Sequence, residues 1–539
     1  MTQRAQRRLR RRRWQPLSVA LCLCVSAFSA FSALGQFGTI HFQTSGAAPA
    51  QPHFLRGVAA LHSFEYEEAL DAFRQARAAD PGFAMACWGE AMAHNRTLWG
   101  QQDRDAAAAA LARLAPTRGA RAAKAPTARE KSYLDAVEIL FGDGDKATRD
   151  AQYAEAMAKL AAKYPDDQEA ATFYALAKLA TVQRGIQGIA AEDGHRHALP
   201  GSEIQRDVAA ILQKVLKANP EHPGAAHYLI HVWDDREHAS LALPVAKTYA
   251  RIAPAASHAR HMPAHVFFHL GLWDAAAAAD EAAWQASVGL VERKKLPASM
   301  RSYHSLSWLQ YVYLQQGRYA AADKALGEIE PVAAAARDPG LLAIAAAMRA
   351  RAVVDTARWD RVRGRMKFDN HDELFAIALG ASRGGDTATV EMGRQELARR
   401  ASAARTGDYR PIVAILEREI AALLRLSARD ASGAVSLLKE AAAAEAQLPS
   451  PAGPPLVIKP SHELLGEVLS GMGRHQEAAA AFEAALKRYP NRSASVLGLA
   501  RALAGAGARE GAREQYKRFA AIWRRADVDR PELAEARKW

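Results

Sequence analysis

The sequence predicts an all-α protein, an α-α superhelix in which antiparallel helix pairs stack into a solenoid. Half of the 539 residues are hydrophobic but only 7% are aromatic. Alanine supplies much of the apolar content, which favours closely packed helices over a β-sandwich. Small, aromatic and proline residues also recur at fixed intervals in distant parts of the chain. The length suits one large repeat array with a continuous core.

The first 35 residues differ from the rest and predict a signal peptide. Seven arginines lie between Arg4 and Arg13, and an apolar run from Leu17 to Leu34 follows. With a small-residue site before Gln36, this order is typical of a secretory leader, so we expect a periplasmic or secreted bacterial protein. Ordinary secretion and the twin-arginine route both fit. An uncleaved leader would be the only expected contact with a membrane.

Charge and cysteine content narrow the function classes. The formal net charge of +13 falls to about +6 without the seven leader arginines, so a nucleic-acid partner is not expected. Of the three cysteines only Cys87 lies outside the leader. No intramolecular disulfide can therefore form in the exported chain, and its stability has to come from packing.

Two distant segments share one spacing of small, aromatic and proline residues. The intervals are 12, 4, 3 and 5 residues in both, for Gly57, Ala69, Phe73, Ala76 and Pro81 and for Gly466, Ala478, Phe482, Ala485 and Pro490. Small residues let two antiparallel helices approach closely, an aromatic ring fills the gap between them, and proline ends the second helix. Each segment therefore predicts one helix pair.

These helix pairs resemble the tetratricopeptide repeat family, whose 34-residue helix-turn-helix units stack into a right-handed superhelix. Pro220 and Pro254 are 34 residues apart, and "GLWDAAAA" and "GRYAAADKAL" are similar to the family's turn and second helix. The block "HARHMPAHVFFHLGLWD" resembles in particular a set of exported bacterial proteins of this family with a His-Met-Pro-x-His block of unassigned chemistry. The resemblance implies that the first helix of each unit lines a concave groove.

The same signals divide the chain into seven segments. They are a signal peptide (1–35), an N-terminal repeat (36–102), irregular helical repeats with an Ala-rich and basic loop (103–222), central His-rich repeats (223–336), irregular helical repeats (337–446), a Pro-rich linker (447–460) and C-terminal repeats with a capping tail (461–539). The linker contains five prolines and predicts an extended connection.

Histidines are concentrated in the central repeats. Eight of the 18 histidines lie between His222 and His269. The 34-residue period relates two pairs, because His227 and His231 recur as His261 and His265. Each pair is spaced i, i+4, which places both imidazoles on one helix face about 6 Å apart along the axis. Two successive first helices therefore present the same pair.

A third first helix extends this histidine stripe. When the turn at Gly317 is aligned with the turn at Gly271, His304 matches His258. Neighbouring helices lie about 8 to 10 Å apart, so side chains from two of them can meet at one ion. We therefore expect a metal site formed by His227, His231, His261 and His265, with His258, His304 and Asp234 as further ligands, in a groove that also contains Asp235, His269 and Tyr311.

Imidazoles with one carboxylate suit zinc, copper, nickel or iron, and zinc or copper is the expected cofactor. Neither "HYLIH" nor "HMPAH" has the glutamate of a zinc-protease HExxH motif. The sequence favours a binding or assembly protein that holds a protein or peptide partner in the concave groove. Two alternatives stay open: a metal-dependent hydrolase or oxidase that uses the same histidines, and a metal-free adaptor for peptides. Histidines also serve as hydrogen-bonded core groups, and His62, His222 and His238 are expected to be of that kind.

Overall fold

Consecutive helices pack against each other as hairpins along almost the whole chain, which confirms the predicted all-α superhelix. The structure, a computed structural model, describes residues 36–181, 201–403, 409–449, 451–527 and 530–539. The predicted signal peptide lies outside these residues. Within them no helix is long and apolar enough to cross a membrane.

Residues 36–181, the first range that the structure describes, form eight helices and one short hairpin. The helices are α1 (Gln51–His62), α2 (Tyr66–Ala79), α3 (Ala84–Met92), α4 (Arg104–Ala112), α5 (Arg118–Lys124), α6 (Ala128–Leu140), α7 (Lys146–Lys163) and α8 (Gln168–Thr181). The two-residue strands β1 (Asn95–Arg96) and β2 (Gln101–Gln102) pair antiparallel between α3 and α4. They enclose a turn of 3-10 helix that carries Trp99.

Helix α9 (Glu203–Ala218) precedes the central repeats. The helices of the central repeats are α10 (Pro223–Val232), α11 (Ala239–Ile252), α12 (Ser257–Leu270), α13 (Trp273–Lys294), α14 (Tyr303–Gln315) and α15 (Tyr319–Ala336). The first helices α10, α12 and α14 carry the histidine positions that the repeat period predicted.

The C-terminal part continues the array. Its helices are α16 (Pro339–Thr356), α17 (His371–Arg383), α18 (Thr387–Ala403), α19 (Arg410–Ser427), α20 (Ala431–Ala446), α21 (Ser461–Gly471), α22 (His475–Arg488), α23 (Ser493–Gly505), α24 (Arg509–Ile522) and α25 (Pro531–Ala536).

The repeat residues pack as their chemistry predicts. A Cβ atom added at Gly57 would lie 2.7 Å from the ring of Phe73, and one added at Gly466 would lie 2.8 Å from the ring of Phe482. Both rings are buried. The glycines therefore allow the close helix approach that each aromatic side chain fills.

Helix α1 and the turn at Asn491 both pack onto the central repeats. At the N-terminal end α1 contacts α10. At the C-terminal end Nδ2 of Asn491 donates to the carbonyl of Gly271 (2.9 Å), and Nε1 of Trp273 donates to the carbonyl of Asn491 (2.8 Å). The histidine-bearing helices consequently lie inside the described fold.

The Pro-rich segment is non-helical but packed, unlike the extended spacer that its composition predicted. Val457 and Ile458 are buried, and a Cβ atom at Gly453 would lie 2.3 Å from the indole of Trp308. Apolar side chains between the prolines explain the difference, because burying them stabilises a docked segment. The segment thereby covers α14 next to the histidines.

A buried ion cluster joins the C-terminal repeats to the central ones. Arg492 is 1% exposed, and its guanidinium contacts Glu463 (2.8 Å) and Asp355 (2.6 Å). It also donates to the hydroxyl of Tyr311 on α14 (3.2 Å). Buried charges of this kind are tolerated only when they are paired and hydrogen-bonded.

Replacing Arg492 by leucine should destabilise the fold, since Asp355 and Glu463 would lose a shared buried cation. We expect the free energy of unfolding to fall by about 3 to 5 kcal/mol, measured by urea unfolding with circular dichroism. Arg474, an exposed partner of Glu477, provides the control: Arg474→Leu should leave the unfolding midpoint unchanged. Equal midpoints for Arg492→Leu and the unmodified protein would contradict this role of the cluster.

Candidate metal centres

Helices α10 and α12 carry the two histidine pairs, and local sequence determines where these helices begin and end. Pro223 begins α10, where no backbone donor is needed, and Nδ1 of His222 caps it by accepting from the amide of Ala225 (3.2 Å). Helix α12 ends at Gly271, whose φ of 63° is left-handed and suits glycine. Each i, i+4 pair projects from one face of its helix.

The first triad consists of His227 and His231 from α10 and His258 from α12. Nε2 of His227 lies 3.1 Å from Nε2 of His231 and 3.1 Å from Nε2 of His258. One ring nitrogen of each of the three lies within 4.8 Å of the others. Nitrogens bound at about 2.0 Å to a tetrahedral ion are separated by about 3.3 Å. The three imidazoles are therefore arranged as ligands of one metal ion would be.

The second triad repeats this arrangement one unit further along the chain. It consists of His261 and His265 from α12 and His304 from α14. Nε2 of His261 lies 3.1 Å from Nε2 of His265 and 2.9 Å from Nε2 of His304. These residues also offer nitrogens within 4.8 Å of one another. The sequence predicted one shared patch, whereas the structure resolves it into two groups of three.

The outward hydrogen bond of His227 identifies which of its nitrogens carries the proton. Nδ1 of His227 lies 2.7 Å from the carbonyl oxygen of His62. A carbonyl only accepts, so Nδ1 donates and Nε2 of the neutral ring presents its lone pair to the triad. That single lone pair faces two other imidazole nitrogens, an arrangement that a cation between them would satisfy.

Behind the second triad, carboxylates contact the outward-facing Nδ1 atoms, as the His62 carbonyl does behind the first. Nδ1 of His265 lies 2.7 Å from Asp234, and Nδ1 of His261 lies 2.6 Å from Asp280. Burial raises the pKa of Asp280 well above its ordinary value, and His265 acts in the opposite direction. A cation on the triad would favour the ionised carboxylate further. Carboxylate-histidine contacts of this kind orient the ligands of many metal sites.

Burial keeps two histidines of the first triad neutral. It lowers the pKa of His227 to about 3 and that of His258 well below the usual 6.5. The neighbouring histidines act in the same direction, because like charges repel. Neutral imidazole is the form that binds metals, so these two histidines of the first triad are in the ligand form at neutral pH.

The sequence predicted that the histidine stripe faces an open groove, but in the structure the paired histidines are buried. The four paired histidines are at most 1% exposed: His227, His231, His261 and His265. His258 and His304 are intermediate in exposure. Rings from neighbouring segments, among them Phe64 and Trp308, pack against these histidines.

Aromatic rings form the walls of both triads. The ring of Phe64 lies 4.4 Å from that of His227, and Trp99 lies 6.0 Å from His258. Trp308 lies 4.5 Å from the ring of His265. Phe64 has a left-handed φ of 57°, a conformation that costs a non-glycine residue of order 1 kcal/mol or more. The fold therefore holds this ring over the first triad against a backbone penalty.

Asp234 was predicted as a ligand, but it lies behind the second triad. One carboxylate oxygen contacts Nδ1 of His265 and the other contacts Nε2 of His269 (3.0 Å). The helix geometry explains the correction: the histidines turn Nε2 inward, so Nδ1 faces the aspartate. His269 therefore contacts Asp234 and is connected to His265 only through that carboxylate.

Asp235 and Tyr311, also predicted for the groove, have other partners. Asp235 accepts from the side chain of Gln205 (2.8 Å) and from Nδ1 of His238 (2.8 Å). Tyr311 is buried and bound to Arg492. Neither belongs to a triad.

A buried network supports the first triad, and sequence reasoning assigned it no role there. Glu169 accepts from Nε2 of His62 (2.6 Å) and from Nε2 of His222 (3.1 Å). Nδ1 of His62 contacts the hydroxyl of Tyr228 (2.9 Å), and Nδ1 of His222 accepts the capping bond described above. The three side chains could geometrically hold an ion, but these hydrogen bonds already occupy their nitrogens. The network instead fixes the His62 carbonyl that orients His227.

The repeat register explains why the described residues contain two triads and not a third. The third ligands, His258 and His304, share one position in the repeat. One period earlier that position is Gly224, where a Cβ atom would lie 2.4 Å from Nδ1 of His62. One unit later, Ser307 stands where the next pair would begin. The flanking units therefore lack the residues for a further triad.

Comparison with known proteins identifies the repeats at the C-terminal end. Residues 469–534 match a family described as tetratricopeptide repeat, which confirms the prediction for that segment. No curated protein matches the chain. The match is confined to this segment, which is a small part of the chain's length.

Several solved structures are similar at low identity. The APC/C hetero-tetramer Cut9-Hcn1 has 12% identity and a TM-score of 0.30, with 96% of this chain and 82% of that chain covered. The human IFIT1 dimer with m7Gppp-AAAA has 12% identity and a TM-score of 0.32, with 94% and 92% covered. The TPR domain of P58(IPK) has 14% identity and a TM-score of 0.20, with 62% and 93% covered.

Replacing Glu169 by glutamine should weaken the network behind the first triad. Burial raises the pKa of Glu169, but the contacts with His222 and His62 lower it by a larger amount, so the net pKa lies below its usual value. The side chain is therefore ionised and accepts from both rings. An amide offers one acceptor and turns its NH2 group toward an imidazole N–H. We expect a loss of about 1 to 3 kcal/mol in unfolding free energy, measured by urea unfolding. Exposed Glu155 is the control, and a loss of equal size in Glu155→Gln would refute the role of the network.

The metal-free protein should lose stability as the pH falls from about 6.5 towards 3. His227 stays neutral in the folded state to a pKa of about 3 but ionises near 6.5 when unfolded. The unfolded chain therefore binds more protons in this window, at up to about 1.4 kcal/mol per pH unit for this group. Urea unfolding across the window should give a shallower slope for His227→Gln. The exposed His41 is the control, since His41→Gln should keep the full slope.

Proposed function

We propose that this protein binds two late transition-metal ions, one in each triad, on a helical-repeat scaffold that is exported from the cell. The observation that carries the proposal is the convergence of ring nitrogens in two groups of three. Nε2 of His227 lies 3.1 Å from Nε2 of His231 and of His258, and Nε2 of His261 lies 3.1 Å from that of His265 and 2.9 Å from that of His304. The leader at 1–35 supports export.

The donor set favours zinc or copper, because imidazole suits both ions. Each triad offers three histidine nitrogens that lie within 4.8 Å of one another, and imidazole is the commonest metal ligand in proteins. These ligands would serve a metal-binding assembly protein and a metal-dependent hydrolase or oxidase equally, so the proposal includes both uses of the triads.

A second function is favoured by the match at 469–534. Helical repeats present extended surfaces that bind protein partners, and we propose a protein or peptide partner for the C-terminal repeats. This surface is separate from the triads, since the histidines are buried.

The test of the metal sites is stoichiometry. Tag-free protein, freed of metal by chelation, is titrated with Co(II) as a spectroscopic probe for zinc-type coordination. We expect two ions per chain and the visible absorption bands of cobalt bound to nitrogen ligands. His258→Ala should remove one ion and His304→Ala the other, because each variant leaves two imidazoles in one triad and three in the other.

His238→Ala is the matched control, since His238 is partly exposed, binds Asp235 and belongs to neither triad. It should bind two ions as the unmodified protein does. Failure to bind any ion in the unmodified protein, with normal helix content, would refute the proposal. Retention of both ions in His258→Ala and His304→Ala would place the ions elsewhere.

A further inference from the structure

A cavity of about 170 Å³ lies between helices α15, α16 and α17 and the connection from α16 to α17. The apolar residues of its lining are buried; they are Leu326, Ala350, Val353, Val362, Ala376 and Ile377. An apolar cavity of about 150 Å³ is large enough to bind benzene. This cavity therefore has room for a phenyl ring or a branched aliphatic group.

The connection from α16 to α17 forms one wall of the cavity and is held at two points. A Cβ atom added at Gly380 of α17 would lie 2.9 Å from Cγ2 of Val362, so the absence of a side chain there lets the connection pack closely. The guanidinium of Arg361 donates to both carboxylate oxygens of Asp323 on α15 (2.8 and 2.7 Å). This two-bond contact fixes the wall against α15.

Four charged side chains of the lining form a row of alternating sign. Arg349 donates from Nη1 to Glu330 (3.4 Å) and from Nε to Glu373 (2.6 Å). Nη2 of Arg365 lies 3.8 Å from Glu373 at the other side. The row thus has a carboxylate at one end, Glu330, and a guanidinium at the other, Arg365.

The two ends of the row have the longest contacts and the most exposure to solvent. Charge-assisted hydrogen bonds usually measure about 2.7 to 2.9 Å, and the contacts of Glu330 and Arg365 are longer than this. Their side chains are 43% and 41% exposed. A guanidinium has five N–H donors and a carboxylate has several lone pairs, so both ends can still bind groups of a ligand.

The charges around the cavity balance. Arg349 also pairs with Asp369 (2.5 Å), and Arg358 and Arg361 share Asp323. Together with the row, the cluster contains four guanidinium groups and four carboxylates and has no net charge. A ligand with both charges and no net charge therefore fits this cluster better than an anion or a cation does.

We infer that this cavity binds an apolar α-amino acid in its zwitterionic form. The carboxylate of the ligand accepts from Arg365, its ammonium group donates to Glu330, and its side chain fills the apolar part of the cavity. Phenylalanine and leucine have side chains of suitable size. The inference is independent of the proposed metal binding, since none of these residues belongs to a triad.

The first test is isothermal titration calorimetry of the full-length, tag-free protein with L-phenylalanine. We expect one ligand per chain. 3-Phenylpropanoate lacks the ammonium group and phenethylamine lacks the carboxylate, so each should bind about tenfold or more weakly than L-phenylalanine, because one charged contact is lost. Absence of L-phenylalanine binding to the folded protein, or equal affinity for 3-phenylpropanoate, would overturn the inference.

Variants of the two ends of the row test which residues bind the ligand. Arg365→Gln and Glu330→Gln should each weaken the binding of L-phenylalanine by about tenfold or more. Arg365→Gln should also lose the discrimination against phenethylamine, because the ligand carboxylate no longer has its partner. Circular dichroism should show unchanged helix content, since both side chains are partly exposed.

Arg399→Gln and Glu477→Gln are the matched controls, because both residues form exposed ion pairs elsewhere in the array. Both variants should bind L-phenylalanine as the unmodified protein does. Val353→Phe places a larger side chain in the cavity and should abolish binding. Full affinity in Arg365→Gln and Glu330→Gln, or in a folded Val353→Phe protein, would overturn the assignment of this cavity.

Discussion

The close packing of three successive first helices is the constraint on which the site depends. Helices α10, α12 and α14 are the first helices of three successive repeats. The third histidine of each triad comes from the first helix of the repeat that follows the one carrying the pair. His258 completes the pair on α10, and His304 completes the pair on α12. An i, i+4 pair on one helix supplies two ligands, so the packing between helices determines whether a third is present.

Burial then determines the chemistry of these ligands. Imidazoles removed from water resist protonation, as the pKa of about 3 for His227 illustrates. The partners behind them, a backbone carbonyl at His62 and the carboxylates of Asp234 and Asp280, hold the rings with Nε2 directed inward. The triads are thus organised without an ion, and the proposed metal binding would spend little energy on ordering the ligands.

Distant parts of the chain supply the walls and the support. The N-terminal repeat contributes Phe64 and the His62 carbonyl, and the Pro-rich segment packs Gly453 against Trp308. The buried Arg492 holds the C-terminal repeats against α14 through Tyr311. Contacts from distant segments therefore accompany the burial of the four paired histidines.

The sequence by itself determined the helical repeat, since spacing of small and aromatic residues depends on local helix geometry and on contacts between adjacent helices. It also determined which histidines are equivalent, because His261 and His265 lie one 34-residue period after His227 and His231. Only the tertiary structure decided that the six histidines divide into two triads, that Asp234 lies behind them and that Glu169 supports the first. These features depend on ring orientation and on contacts between segments more than 100 residues apart, such as Glu169 with His62, which no local period encodes.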